Sequence, residues 1–333
     1  MTDAAEYARA FGLFQSQRFA EAEAALRALV TASPAHVEAM QLLAAAVGVQ
    51  GRHDESLEWL DRALTLRPAG PSALHNRARA LFALGRLAEA RAELENVVRL
   101  KPDMDGSWNL LGSVLAAMGE GAAAEAAYRR ALALRPDNAD TAYNLGLLLQ
   151  QAGRLDEALA CYRKALQLRP AFAGAHNNLA NALRVRGRLD EALTHYAEAV
   201  RLDPMLADAL ANYGTALREV AKPAEAIGLL ERALKLKPGS AAILNNLGIA
   251  YYEQHRHADA EACYHRALVL APDYHEARNN LGNALAAQGR GDEAIDLYRQ
   301  VIAAAPGNPD AHSNLGLILQ ERGDDEEIGR AHV

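Results

Sequence analysis

Asparagine returns at one position along this chain: Asn144, Asn178, Asn212, Asn246, Asn280 and Asn314 follow one another at steps of 34 residues, and Asn76 falls in the same column. A primary amide carries one acceptor and two donors, so it pairs with both the C=O and the N–H of an extended peptide, whatever that peptide's side chains. That is the chemistry of recognition; it makes and breaks no covalent bond. The surroundings are helical, where each asparagine costs roughly 0.6 kcal/mol relative to alanine. Two arrangements would offset that cost. In one, each amide bridges to a backbone carbonyl of the neighbouring unit and fixes the stacking. In the other, the six form a ladder along a groove and hold a bound chain. With neighbouring helices about 10 Å apart and a strand advancing about 3.3 Å per residue, each rung would meet roughly every third residue of that chain. Helical spacing puts Asn181, Asn283, Arg184, Arg218 and Asp208 near the same face, where they would add side-chain selectivity.

Covalent chemistry finds no counterpart. HExxH, GxSxG, a phosphate loop and a dinucleotide fingerprint are all missing from the sequence. No catalytic residue, no metal ligand set and no cofactor is expected. The 11 histidines are scattered. His255 and His257 flank a turn, and His176 and His312 share the column of Trp108, where a packing role is expected. Cys161 and Cys263 occupy one helical column three units apart, without CxxC spacing, and read as small buried apolar residues.

The elements that position the asparagines follow from the same period. Pro34, Pro68, Pro102, Pro136, Pro170, Pro204, Pro238, Pro272 and Pro306 are each 34 residues apart. Proline cannot continue a helix, so each ends a unit. A small column runs Ala10, Ala44, Ala78, Gly112, Gly146, Ala180, Gly214, Gly248, Gly282, Gly316, and a second starts at Ala22, Ser56 and Ala90. A larger column holds Leu26, Leu60, Leu94, Tyr128, Tyr162, Tyr196, Leu230, Tyr264 and Tyr298. Small residues let two helices approach and the Leu/Tyr column fills the space beyond them. A glycine separates the two helices of most units, as at Gly51, Gly85 and Gly153, and Pro223 begins a second helix.

Period and columns resemble the tetratricopeptide repeat. The resemblance implies an all-α fold, an α-solenoid in which helical hairpins stack into a superhelix with a concave groove lined by the first helices. Nine repeats would run from Asp3 to Asn308, and the first helix and start of a truncated tenth would occupy 309–326. Only Trp108 fills the family's tryptophan column. The NNLA and NNLG segments at 177 and 279, with GRLDEA at Gly153–Ala158 and Gly187–Ala192, are similar to the repeat domain of protein O-linked N-acetylglucosamine transferases. In that family the corresponding asparagines line the lumen and hold protein substrates by their backbone. The resemblance implies that role for Asn144, Asn178, Asn212, Asn246, Asn280 and Asn314.

Two functional classes follow: the substrate-recruiting array of a protein glycosyltransferase, or a free-standing adaptor or scaffold. Acidic residues four positions before the ladder, among them Glu38, Asp140, Asp208, Glu276 and Asp310, argue against a clamp for a terminal carboxylate. The expected partners are extended or disordered protein segments. The net charge of −7 argues against nucleic acid or an anionic membrane as the main partner. No apolar stretch is long enough to span a bilayer, and self-association stays open. The start, MTDAAEYARAFGLFQ, has no basic leader or apolar core, so the expected compartment is the cytoplasm. The ending EIGRAHV back-translates to a common short-read sequencing adaptor. Residues 327–333 are therefore expected to be a read-through artefact, with the natural frame continuing past Glu326.

Overall fold

A computed structural model describes residues 2–322. The segment 323–333, on which the adaptor expectation falls, lies outside the described residues. The described residues form 19 helices and no strand. They divide between two compact units, Met1–Arg169 and Pro170–Val333.

In the first unit, first helices Asp3–Gln15, Val37–Val49, Pro71–Ala83, Asp105–Ala117 and Ala139–Gln151 alternate with second helices Phe19–Ala32, His53–Leu66, Leu87–Leu100, Gly121–Leu134 and Leu155–Leu168. In the second unit, first helices Ala173–Val185, Ala207–Glu219, Ala241–Glu253, His275–Ala287 and Pro309–Arg322 alternate with second helices Leu189–Leu202, Pro223–Leu236, His257–Leu270 and Gly291–Ala304. Each unit is an α-solenoid of helical hairpins.

The stops are written in the backbone. The residue before each period proline leaves the helical region, as Arg67 does at φ −140°, ψ 81° and Ala271 at φ −138°, ψ 86°, because the proline ring crowds its α conformation. The turn inside each hairpin needs a left-handed residue. Gly51 takes φ +82° there, and the Arg52 N–H reaches back to the Val47 carbonyl at 3.3 Å, closing the C-terminal turn of Val37–Val49. At Gln17, Ala221 and His255 the same turn is made without glycine, at φ 60°, 56° and 56°.

Within each hairpin the small column faces the Leu/Tyr column. Tyr162, Tyr196, Tyr264 and Tyr298 are among the largest fully buried side chains. Inside each unit, the backbones of successive first helices approach one another, whereas those of successive second helices stay farther apart and are bridged by long side chains, as Arg27 pairs with Glu55 and Arg129 with Glu157. Each unit therefore curves with its first helices inward. That curvature sets the asparagine column on the inner face.

Candidate functional site

The ladder asparagines are half-buried, and most use one amide N–H to link to the preceding repeat. Asn144 Nδ2 donates to Asn109 Oδ1 at 3.3 Å, Asn212 to Asn177 at 3.0 Å, Asn280 to Asn245 at 3.1 Å, and Asn314 to Asn279 at 3.1 Å. The acceptor is thus a side-chain amide one residue before the ladder position of the previous repeat; the alternative drawn from sequence had assumed a backbone carbonyl. Where alanine occupies the acceptor column, at Ala211, Asn246 turns to the Thr215 hydroxyl at 3.2 Å. Asn178 differs again: its Oδ1 accepts from Asn177 Nδ2 at 3.1 Å.

The acceptor column was overlooked in the sequence. Its signal was the doublet itself, since Asn177-Asn178, Asn245-Asn246 and Asn279-Asn280 each place an acceptor beside a ladder residue. Asn177, Asn245 and Asn279 are buried at 7%, 0% and 6% exposure, and buried amides need their partners. Asn245 also donates to Glu276 Oε1 at 2.9 Å. On Asn144, Asn212, Asn246, Asn280 and Asn314 the Oδ1 and the second N–H remain without a partner among the described residues.

The flanking residues are each tied to the array. Tyr196 donates its hydroxyl to Asn181 Oδ1 at 2.6 Å, and Tyr298 to Asn283 Oδ1 at 2.7 Å. Burial raises the pKa of both phenols, which keeps each one a donor and fixes the amide oxygen as its acceptor. Arg184 pairs with Glu219 at 2.5 Å, and Arg218 holds Glu253 through two contacts of 2.8 and 3.1 Å. Both arginines reach into the next repeat. Asp208 binds Lys237 at 2.7 Å, as Glu38 does Arg67 and Asp140 does Arg169.

A tetratricopeptide repeat model matches residues 3–71, 143–207, 212–262, 246–309 and 279–327, and two further tetratricopeptide models match 103–171 and 49–112. The chain belongs to the tetratricopeptide repeat family. Its repeats are those of a protein-interaction array. Among solved structures, Pseudomonas aeruginosa PilF is similar at 21% identity and a TM-score of 0.57, over 67% of this chain and 97% of that one. The hetero-tetramer Cut9–Hcn1 of the APC/C is similar at 17% identity and a TM-score of 0.55, over 96% of this chain and 70% of that one. YrrB, a TPR protein with an unusual peptide-binding site, shares 23% identity over 55% of this chain and 95% of its own, at a TM-score of 0.49. The likenesses to PilF and to Cut9–Hcn1 establish the fold alone. No curated protein is significantly similar to the chain.

The second unit of this tetratricopeptide array brings two expected residues into one cavity. Asn283 and Asn314 line a space of about 300 Å³ together with Tyr252, Tyr298, Leu317 and Ile318. Amides and apolar side chains meet there, and Tyr252 had carried no signal in the sequence. The Trp108 column proves to be hydrogen-bonding. Trp108 Nε1 donates to the Pro102 carbonyl at 3.0 Å, and His176 Nε2 and His312 Nε2 reach the Pro170 and Pro306 carbonyls at 3.0 and 2.8 Å. Arg278 does the same for Pro272. Ring size matters less there than an N–H six residues after the proline.

Among the described residues no group of His, Cys, Asp and Glu is placed to hold a metal ion. No described helix is long and apolar enough to cross a membrane. Cys263 is buried and Cys161 partly so, both with free thiols, and burial pushes the Cys263 pKa up to about 11.

Proposed function

We propose that the inner face of this array binds extended protein segments through their backbone. The observation that carries this is the set of unused Oδ1 and N–H groups on Asn144, Asn212, Asn246, Asn280 and Asn314. One acceptor and one donor per rung match the N–H and C=O of a passing residue. The inter-repeat bond of each rung holds the amide in place before the segment arrives, which lowers the ordering cost of binding. The cavity at Tyr252, Asn283 and Asn314 would take an apolar side chain of the same segment.

Affinity from the ladder alone is weak, since about 1 kcal/mol per hydrogen bond stands against about 1–2 kcal/mol per ordered residue. Fluorescence anisotropy with unstructured peptides tests the proposal on Asn212→Ala/Asn246→Ala/Asn280→Ala, compared with the native chain at equal helical circular dichroism. Binding should fall severely. Binding that persists while stability drops would make the asparagines purely structural.

The finer reading is that the array recruits substrates for a protein O-linked N-acetylglucosamine transferase-like enzyme. Its support is the NNLA/NNLG and GRLDEA segments. Long-read sequencing of the locus tests it: an open frame past Glu326 into a glycosyltransferase domain supports it, and a frame without one leaves the adaptor role.

A further inference from the structure

On the inner face of the first unit, Arg79, Asn76 and His53 converge on a cavity of about 240 Å³. None of the three side chains has a hydrogen bond, ion pair or ring contact with a described residue. Arg77, two residues away, is held by Asp61 at 2.7 Å and Glu93 at 2.5 Å. Its neighbour points elsewhere and meets no acid. The other cavity walls are small, including Ala44, Gly48 and Ala80, and no acidic side chain lines it. The Ser56 hydroxyl at its edge is committed to the Ala44 carbonyl at 2.8 Å.

Arg79 is open to solvent along the cleft yet enclosed by protein atoms, and this desolvation lowers its pKa. The guanidinium charge is felt nearby: after burial, Arg79 is the second cause holding His75 down to about 4. The guanidinium at this opening has no counter-ion, and a carboxylate suits it best because the fork matches two carboxylate oxygens. The Asn76 amide is a third donor at the same opening, and a His53 ring N–H a fourth.

We propose that this cavity receives the carboxylate of an internal aspartate or glutamate side chain in a segment bound along the inner face of the first unit. The inference rests on the peptide-binding proposal above, with Asn76 holding backbone and Arg79 selecting the side chain beside it. It would make the array selective for acidic segments at this register.

Acetylated and amidated peptides that differ only by one internal Glu or Gln provide the test. Binding of the Gln peptide by the native chain reports the ladder by itself; the Glu–Gln difference reports the cavity. The native chain should favour Glu by about tenfold or more at low salt, as expected for charge-assisted hydrogen bonds, and less at high salt. Arg79→Met should abolish the preference. A second readout is independent of affinity: the Glu peptide, by neutralising Arg79, should raise the His75 pKa followed by NMR. Equal binding of Glu and Gln peptides overturns the proposal, as does a preference that survives Arg79→Met. A preference seen only with a free terminal carboxylate overturns it too. Failure of every peptide to bind removes both proposals.

Discussion

Gly248 lies against the ring of Tyr264 so closely that a Cβ there would stand 2.5 Å from Cε1 and 2.8 Å from Cζ. The same approach joins Gly112 to Tyr128, Gly146 to Tyr162 and Gly282 to Tyr298. In the first three repeats the columns hold Ala10 with Leu26, Ala44 with Leu60 and Ala78 with Leu94, every one of them fully buried. A larger side chain on one helix is thus commonly matched by a smaller one on its partner, although Ala180 stands with Tyr196 and Gly214 with Leu230. Gly248→Ala should therefore overpack the pair and cost about 1–3 kcal/mol, offset in part by about 1 kcal/mol of helix propensity. Adding Tyr264→Leu should recover most of the loss. Denaturant midpoints of the two single variants and the double variant decide it, and additive losses would show that the two side chains do not share one space.

Column volumes of this kind are legible in a sequence because they repeat. The proline period, the Gly/Ala column and the Leu/Tyr column each report one local requirement, and the hairpins follow. The site was less legible, because Asn280 and its acceptor Asn245 are 35 residues apart and neither pattern names the other. The helical wheel places Arg184 and Asp208 near the ladder, yet their ion pairs with Glu219 and Lys237 depend on the tilt between successive helices. Arg79 is the opposite case. Its lack of any partner is visible only once every neighbouring side chain has a position.

The turn at Ala221 carries a removable strain. Its φ of 56° is left-handed, which costs an L-residue roughly 1–2 kcal/mol and a glycine little. Six of the turns use glycine at a comparable φ. Ala221→Gly should raise the thermal midpoint, by a net amount on the order of 0.5–1 kcal/mol once the greater freedom of glycine in the unfolded chain is counted. His255→Gly should act in the same direction unless the ring contact between His255 and His257 contributes as much. A lower midpoint for Ala221→Gly would mean that the alanine side chain packs usefully in that turn.

Asn280→Ala separates helix propensity from stacking. Alanine is the better helix former by roughly 0.6 kcal/mol, but the substitution leaves Oδ1 of the fully buried Asn245 without its donor. An unsatisfied buried acceptor costs about 1–3 kcal/mol, so the single variant should lose stability. Asn245→Ala/Asn280→Ala removes both ends, and it should be more stable than the sum of the single losses implies. The coupling, read from urea unfolding, should be positive and close to the value of one buried hydrogen bond. A coupling of zero would mean that the inter-repeat amide bond contributes nothing.

Titration should narrow stability from both sides, through different groups. His75 is held near 4, first by burial and then by the Arg79 charge, against the opposing pull of Asp105. Its folded pKa lies below the ordinary 6.5, so the unfolded chain takes up the proton first as pH falls. The stabilisation is present above 6.5 and is lost as pH falls towards about 4. Cys263 works in the alkaline range: burial raises its pKa from 9.0 to about 11, so its contribution is complete below 9.0 and lost as pH rises through about 11. Thermal midpoints across the pH range should fall in both windows. His75→Asn should flatten the acid window alone, and Cys263→Ala should flatten part of the alkaline one, where the buried Tyr162, Tyr264 and Tyr298 also resist ionisation. NMR titration of the His75 ring gives the sharper check, because an ordinary midpoint near 6.5 would mean that neither burial nor Arg79 acts on it.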